Sequence, residues 1–549
     1  MTSPIHTSIL QKVDSQRVSL QIYDCTLRDG TQGEGFNLSL EDKLAIAQAL
    51  DDFGVRYIEG GWPGSNPKDA RFFEAMKDVP LKNAKLAAFS FTRQKGFTLE
   101  NDPNLKILLE AGTPVVTFVA KAWDRHVTEA LGITLEQNLE AIGDTIQYFK
   151  SLGREIVFDA ELYFAGHRGN PAYAQAVLET AVSAGADCLV LCDTLGDVLP
   201  EEVEERVKAV LELGVPVGIH THNDMEMAIS NALVAVRAGA TQIQGTINGV
   251  GERTGNMNLI SFIALAQAKL GYDCVPGVAK LTELSRFVDA RANRTPRNEQ
   301  PFVGVSAFAH KGGMHASAVG RDPTLYEHME PGTVGNSRRI LISDLAGRSN
   351  LVATAATYGI QIEGKDPAVT QAMTRLKQLE DEGFTFEGAD ASVMMLLRVA
   401  RGEPEFFKVR VFRAQIDDFV GFDTEAEASV QVWVGDTREH AAALGDGPVN
   451  ALDKALRIAL ERHYPMLQEV ELLDYKMRVL EGDHGTAANV RVLITFGDSK
   501  GQWTTVGAGV NSIKASFIAL TDGLSFKLMR DGVRALQALE PIMSETVAT

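Results

Sequence analysis

Val215-Pro216-Val217-Gly218-Ile219-His220-Thr221-His222-Asn223-Asp224 is the stretch on which the fold turns. Its apolar first half reads as a short buried strand, and the run after Asp224, from Met225 to Ala238, reads as a helix. Residues two apart on a strand point to the same side. His220 and His222 therefore project together from the strand's carboxyl end, where neutral imidazoles suit a divalent metal.

The same alternation of apolar strand and amphipathic helix extends on both sides, from Ser19 to about Gly271. Strands are expected at 20–23, 56–59, 85–89, 115–120, 155–160, 188–192, 215–220 and 241–246. Helices are expected at 40–53, 135–152, 172–184, 200–213 and 225–238. Ser39 and Asn170-Pro171 mark starts, and glycines at 54, 153, 185, 214 and 239 mark stops. Eight such units in this length imply an α/β fold, a (β/α)8 TIM barrel, with an open doubly wound sheet as the alternative. Barrel chemistry sits at the carboxyl ends of the strands. Polar residues gather there: Asp24, Thr26, Arg28, Asp29 and Gln32 after strand 1, Asp159 and Glu161 at strand 5, Asp193 and Thr194 at strand 6, and the two histidines at strand 7. No comparable polar cluster is read at the amino ends.

The texture changes beyond the barrel. The expected organisation is a tail (1–18), the catalytic barrel (19–285), small helical linker subdomains (286–388), a duplicated α+β regulatory domain (389–535) and a second tail (536–549). From about Tyr272 the chain shows helical stretches at 280–292 and 367–382 and the Gly-rich run Lys311-Gly312-Gly313-Met314-His315. The duplication is legible as sequence. Ser429 to Asp436 is echoed by Asn489 to Asp498, and Gly445-Asp446-Gly447 by Gly507-Ala508-Gly509, each pair ahead of an amphipathic helix. Each copy is too small to bury a core alone, so the two are expected to pack together.

Composition narrows the function. The 549 residues are 45% hydrophobic and 23% charged, ordinary for a soluble globular protein, with a formal net charge of −19. That charge argues against general nucleic-acid or membrane-surface binding. No run approaches the length of a membrane span, and residues 1–17 do not read as a secretory signal. Four cysteines make no disulfide framework and point to reduced thiols in the cytoplasm, with Cys188 and Cys192 as small core residues.

Chemistry follows from residue type and place. Asp29 offers a hard carboxylate beside the histidines, and Asn256, delivered by the Gly249–Gly255 loop, offers an amide oxygen. That mixed set suits Mn²⁺, Zn²⁺, Co²⁺ or Mg²⁺. Open positions on such an ion would chelate a 2-oxo acid and polarise its carbonyl. Arg28 presents paired planar donors to a substrate oxyanion. Gln32, Glu161 and Thr194 are further candidates for substrate contact. For Glu161 a structural ion pair is the alternative, and for Thr194 a turn cap. The paired glycines Gly445, Gly447, Gly507 and Gly509 offer backbone N–H groups at helix starts to an amino-acid carboxylate.

Four ordered motifs carry a resemblance: Asp24-Cys25-Thr26-Leu27-Arg28-Asp29-Gly30-Thr31-Gln32, Asp193-Thr194-Leu195-Gly196, His220-Thr221-His222-Asn223-Asp224, and Gly249-Val250-Gly251-Glu252-Arg253-Thr254-Gly255-Asn256. Together they resemble the metal-dependent acyl-CoA condensing enzymes and related lyases, a family that includes isopropylmalate, homocitrate and citramalate synthases and hydroxymethylglutaryl-CoA lyase. The duplicated C-terminal region resembles the allosteric domain of the synthases. Thr31, where isopropylmalate synthases usually show Glu, and the run Ile58 to Lys68 look most like the citramalate synthase branch. The resemblance implies acetyl-CoA and pyruvate as substrates, metal binding by Asp29, His220 and His222 with Asn256 nearby, and charge stabilisation by Arg28. It makes Glu161 and Thr194 pyruvate contacts, His315 the general base and Tyr326 a weaker catalytic candidate. It further implies isoleucine as effector and a homodimer. Isopropylmalate or homocitrate synthesis, the same chemistry on another 2-oxo acid, is the alternative; a non-catalytic amino-acid-binding dimer is a more distant one.

Overall fold

Eight parallel strands pair in chain order and close on themselves: β1 (Gln21–Asp24), β2 (Tyr57–Gly61), β3 (Lys85–Phe91), β4 (Val115–Lys121), β5 (Glu155–Glu161), β6 (Cys188–Asp193), β7 (Val217–Thr221) and β8 (Gln242–Gly245). Gln21 to Asp24 of β1 pair with Gln242 to Gly245 of β8, which closes the barrel and excludes the open sheet. This is a computed structural model, and it describes residues 18–343, 346–362, 366–417, 425–480 and 488–536. The expected tails lie almost wholly outside the described residues.

The helices outside the barrel are α1 (Leu40–Phe53), α2 (Pro67–Met76), α3 (Pro103–Ala111), α4 (Leu135–Ser151), α5 (Tyr163–Gly169), α6 (Pro171–Ala184), α7 (Pro200–Leu211) and α8 (Ala228–Ala238), followed by α9 (Leu259–Ile263) and α10 (Leu281–Arg291). Local signals set their ends. Ser39 and Asp42 form a capping box at the start of α1, and Gly54 stops it in the left-handed region at φ 93°. Sequence reading missed α2 and α3, although Asn66-Pro67 and Asp102-Pro103 each supply an N-cap and a first-turn proline. It also started α8 three residues early. Glu226 takes φ 57°, and the Asn223 side chain accepts from Ala228 N–H, so the chain turns before the helix begins.

The barrel interior is packed by Tyr23, Cys25, Tyr57, Ala87, Val115, Val157, Cys188, Val190 and Cys192. All four cysteines are buried free thiols, as the core reading of Cys188 and Cys192 requires. The amino ends carry a polar group that the sequence did not betray. Tyr57 Oη donates to Glu155 at 2.6 Å, and Lys85 pairs with the same carboxylate. Periodicity hid it because all three sit at or beside strand starts.

The chain divides into two compact units, Met1–Phe308 with Glu330–Ser337, and Ala309–Met329 with Arg338–Thr549. The second opens with the two-residue strands β9 (Ala309–His310) and β10 (Arg339–Ile340) and the helices α11 (Gly313–Val319), α12 (Arg348–Thr357), α13 (Pro367–Asp381) and α14 (Asp390–Ala400). Two copies of one motif follow. The antiparallel strands β11 (Lys408–Asp417), β12 (Glu425–Val434) and β13 (Thr437–Gly445) precede α15 (Pro448–Leu460). The antiparallel strands β14 (Glu471–Val479), β15 (Val490–Asp498) and β16 (Gly501–Gly509) precede α16 (Ser512–Arg530). The repeat extends to a register shift near the start of the first strand, at Val409/Val411 in one copy and Leu472/Asp474 in the other. Val430, Leu452 and Leu456 share one core with Ile494, Leu520 and Phe526, so neither copy stands alone. Among the described residues no helix is long and apolar enough to cross a membrane.

Candidate active site

The carboxyl end of β7 delivers His220 from within the strand and His222 just beyond it. Their Nε2 atoms lie 3.3 Å apart, and His220 Nε2 lies 3.3 Å from Asp29 Oδ2. Metal–ligand bonds of about 2.0–2.2 Å at ordinary coordination angles place neighbouring donors about 3–3.5 Å apart. Asp29, His220 and His222 are 3%, 5% and 6% exposed, and one ligand atom from each lies within 4.8 Å of the others. Asp29 Oδ1 and Asn256 Oδ1 are buried without a hydrogen-bond partner. Such orphans are costly in a protein interior, and a divalent cation held by this nitrogen and oxygen set would satisfy them.

Neighbours fix the orientation of these groups. Gln244 on β8 donates from Nε2 to Asp159 Oδ1 at 3.0 Å, so its Oε1 is left to accept from His220 Nδ1 at 3.0 Å. The proton then sits on Nδ1 and the lone pair of Nε2 points into the cluster, the arrangement that buried carboxylates and amides impose on metal-ligating histidines. Arg28 is clamped in a similar way. Its Nε donates to Glu59 at 2.6 Å, its Nη1 is 3.4 Å from Asp29, and its guanidinium lies 3.9 Å from the centre of the Phe89 ring. Glu59 is fully buried and also accepts from Tyr23 Oη at 3.0 Å.

Charge follows geometry. Burial would raise the Asp29 carboxyl, but Arg28 and the two histidines outweigh it and hold it well below the usual carboxylate range. Burial, and then the neighbouring His220, lower His222 to about 4, which keeps that ring neutral. Burial, reinforced by Glu59, pushes Asp159 up to about 7.

Three strand-end loops meet around the cluster. His222 bridges to Asn256, and Asn223 N–H donates to Gly255 O at 2.9 Å. Arg253 grips Asp224 through Nε and Nη2 at 2.8 and 2.9 Å, and reaches Thr194 O at 2.8 Å. The cavity above, about 410 Å³, is lined by Arg28, Asp29, Gln32, Glu161, Thr194 and both histidines, with Trp62, Phe89, Phe91 and Val119 as apolar wall. Glu161 pairs with Lys121, and the Thr194 hydroxyl accepts from Leu162 N–H at 3.0 Å, so both have a structural partner and a face on the cavity. Sequence reading missed Glu59 and Gln244, and gave Asp159 no role. Their signal is a polar side chain inside an otherwise buried strand.

The remaining candidates lie in the second unit. His315 and Tyr326 stack with ring centroids 4.1 Å apart and planes 28° from parallel. His310 is tied to Glu327 at 3.0 Å, a carboxylate that also binds Arg338, which fits a structural reading of that histidine. The glycine pairs differ from the turn pattern expected of them. Gly507 lies inside β16 opposite Val492, and a Cβ there would meet Ala515 O at 2.0 Å. Gly445 ends β13, where a Cβ would meet Ala451 N at 2.5 Å. Both permit close sheet–helix packing. Gly447 remains at the start of α15, and Gly509 ends β16.

Comparison with known proteins follows this division. Residues 19–291 match the HMGL-like family, 302–384 the homocitrate synthase post-HMGL domain-like family, and 387–528 the LeuA allosteric (dimerisation) domain. An (R)-citramalate synthase of Aquifex aeolicus is 50% identical over 93% of this chain and 98% of its own length. One from Geobacter sulfurreducens is 49% identical over 93% and 97%. A probable 2-isopropylmalate synthase of Methanopyrus kandleri is 31% identical over 92% and 98%. With 93% of its length matched and half of the matched residues identical, this chain belongs to the HMGL-like family, in the branch of the (R)-citramalate synthases.

Proposed function

We propose that the chain condenses acetyl-CoA with pyruvate and water to give (R)-citramalate and CoA, in isoleucine biosynthesis. The observation that carries this reading is the buried Asp29–His220–His222 cluster with Arg28 locked beside it at the floor of a cavity, in a chain half identical to (R)-citramalate synthases. Asp29, His220 and His222, with Asn256 alongside, are assigned to a divalent metal, one of Mn²⁺, Zn²⁺, Co²⁺ or Mg²⁺. When bound it supplies Lewis-acid polarisation of the 2-oxo acid.

The chain's own residues do the rest. Arg28, fixed by Glu59 and Phe89, meets the negative charge that develops on the pyruvate carbonyl oxygen without reorganising. Thr194 and Glu161 position the pyruvate, with Gln32 at the rim. His315 is assigned the base role on its motif, taking a methyl proton from acetyl-CoA; Tyr326 holds its ring. The methyl carbon bonds to C2 of pyruvate, whose carbonyl oxygen takes up a proton. Water then cleaves the thioester, releasing a carboxylate and the CoA thiol. Isoleucine as effector of the duplicated domain, a homodimer and a cytoplasmic setting complete the proposal.

Release of free thiol from acetyl-CoA, measured with metal against pyruvate, 2-oxoisovalerate and 2-oxoglutarate, tests it. Pyruvate is expected to give the highest kcat/KM. A hydrophobic pocket separates such substrates by about 1–3 kcal/mol per methylene, roughly 10–200-fold. Preference for 2-oxoisovalerate would replace the assignment with isopropylmalate synthesis, and preference for 2-oxoglutarate with homocitrate synthesis.

A further inference from the structure

Beside the site cavity lies a second concavity of about 530 Å³ at the start of α2. The two share Thr31, Asn66 and Asp69 in their linings, so they adjoin along one wall of the barrel mouth. Their charges differ. Lys43 and Asp69 neutralise each other through a 2.5 Å contact in which the lysine is 1% exposed. Lys68 and Arg71, both on α2, also line the second concavity. Lys68 Nζ donates to Leu38 O at 2.8 Å, and among the described residues no carboxylate pairs with Lys68 or Arg71. The chain has a net charge of −19, so two uncompensated cations on one short helix stand out. The amino end of α2 adds a positive dipole end to the same wall. Phe36 and Leu38 give the concavity an apolar floor.

We propose that this groove holds the phosphate-bearing end of CoA, with Lys68 and Arg71 as its anion contacts. The inference rests on acetyl-CoA being the acyl donor. The acetyl group must reach the cavity floor near Arg28, and its pantetheine arm must then leave that cavity. The boundary formed by Thr31, Asn66 and Asp69 opens onto Lys68 and Arg71, which among the described residues of the two linings are the cations without a carboxylate partner; Arg28 and Lys43 are both paired. A carrier arm ending in phosphates gains charge-assisted hydrogen bonds there, and electrostatic capture that weakens with salt.

The test compares acetyl-CoA with acetyl-pantetheine, which lacks every phosphate, in thiol release by the full chain. Lys68→Met with Arg71→Ala is expected to lower the ratio of kcat/KM for acetyl-CoA to that for acetyl-pantetheine at least tenfold. Arg71→Glu, at an exposed position that folding tolerates, is expected to lower the same ratio if the double variant does not fold. Adenosine 3′,5′-bisphosphate is expected to compete with acetyl-CoA in the parent protein and to lose that effect in the variants. An unchanged ratio, or equal loss on both substrates, overturns the groove while leaving the condensation intact. Competition by inorganic phosphate as strong as that of the nucleotide also overturns it, because the groove is then a general anion site. No thiol release from acetyl-CoA by the parent protein overturns the condensation and the groove together.

Discussion

The cluster at the barrel mouth and the His315–Tyr326 pair are built on opposite principles. Asp29, His220 and His222 are buried, come from two strand ends and are held by residues that are buried themselves. Gln244 and Asp159 hold one imidazole, and Glu59 and Tyr23 hold the guanidinium beside the carboxylate. His315 is exposed, sits in the seven-residue helix α11, and has the ring of Tyr326, itself 46% exposed, as its stacking partner. A chelate needs donors fixed to a few tenths of an ångström before the ion arrives, so the fold invests burial and hydrogen bonds in it. A proton-transfer group needs access, and here a ring stack orients it.

The largest expected effects separate these two designs. Asp29→Asn keeps the shape and removes the charge, while His220→Ala removes a donor. Either should lower kcat by at least about 10³-fold, the scale of losing electrostatic stabilisation, and should also abolish metal-dependent thermal stabilisation. The parent protein should gain about 2.7 kcal/mol at a metal concentration 100 times Kd. His315→Ala should cost about 10²–10⁴ in kcat, the scale of general-base catalysis, and leave the metal-dependent shift in Tm unchanged. Loss of that shift in His315→Ala, or its survival in Asp29→Asn, would break the comparison. The next effect is smaller. Gln244→Leu leaves His220 Nδ1 and Asp159 without their partner, so metal affinity should fall about 10–100-fold while the three donors stay in place. Titration of the metal by calorimetry reads this directly. Parent-like affinity would mean that strand packing alone orients His220.

The sequence revealed the barrel and its metal donors far better than it revealed what holds them. Short apolar runs ending in Asp, Thr or His are legible because burial on both faces leaves few other readings, and His220 and His222 share a side by strand geometry alone. Closure was not legible, since the pairing of Gln21 with Gln242 joins residues from opposite ends of the domain. Glu59 and Gln244 escaped notice for a related reason: one is a single acid in an apolar strand, the other one of two glutamines in Gln242–Gly245, and their partners lie tens of residues away. The glycines of the duplicated domain show the converse error. Gly507-Ala508-Gly509 reads as a turn by composition, but the close approach of α16 to β16 at Ala515 is what demands a residue without a Cβ at 507.

The smallest effect concerns Tyr326, and it sharpens the comparison most finely. If access rather than rigidity governs the second region, the tyrosine contributes its ring and its hydroxyl is dispensable. Tyr326→Phe preserves the stack and should change kcat less than about threefold. Tyr326→Ala removes a ring contact of about 0.5–1.5 kcal/mol and should cost at most about tenfold, an order of magnitude being about 1.4 kcal/mol. The His315→Ala effect should exceed both. A Tyr326→Phe loss as large as that of His315→Ala would assign the phenol a proton-transfer role of its own. The exposed pair would then be a second constructed site, and its contrast with the buried cluster would lie in its chemistry, with no difference in how far each is pre-organised.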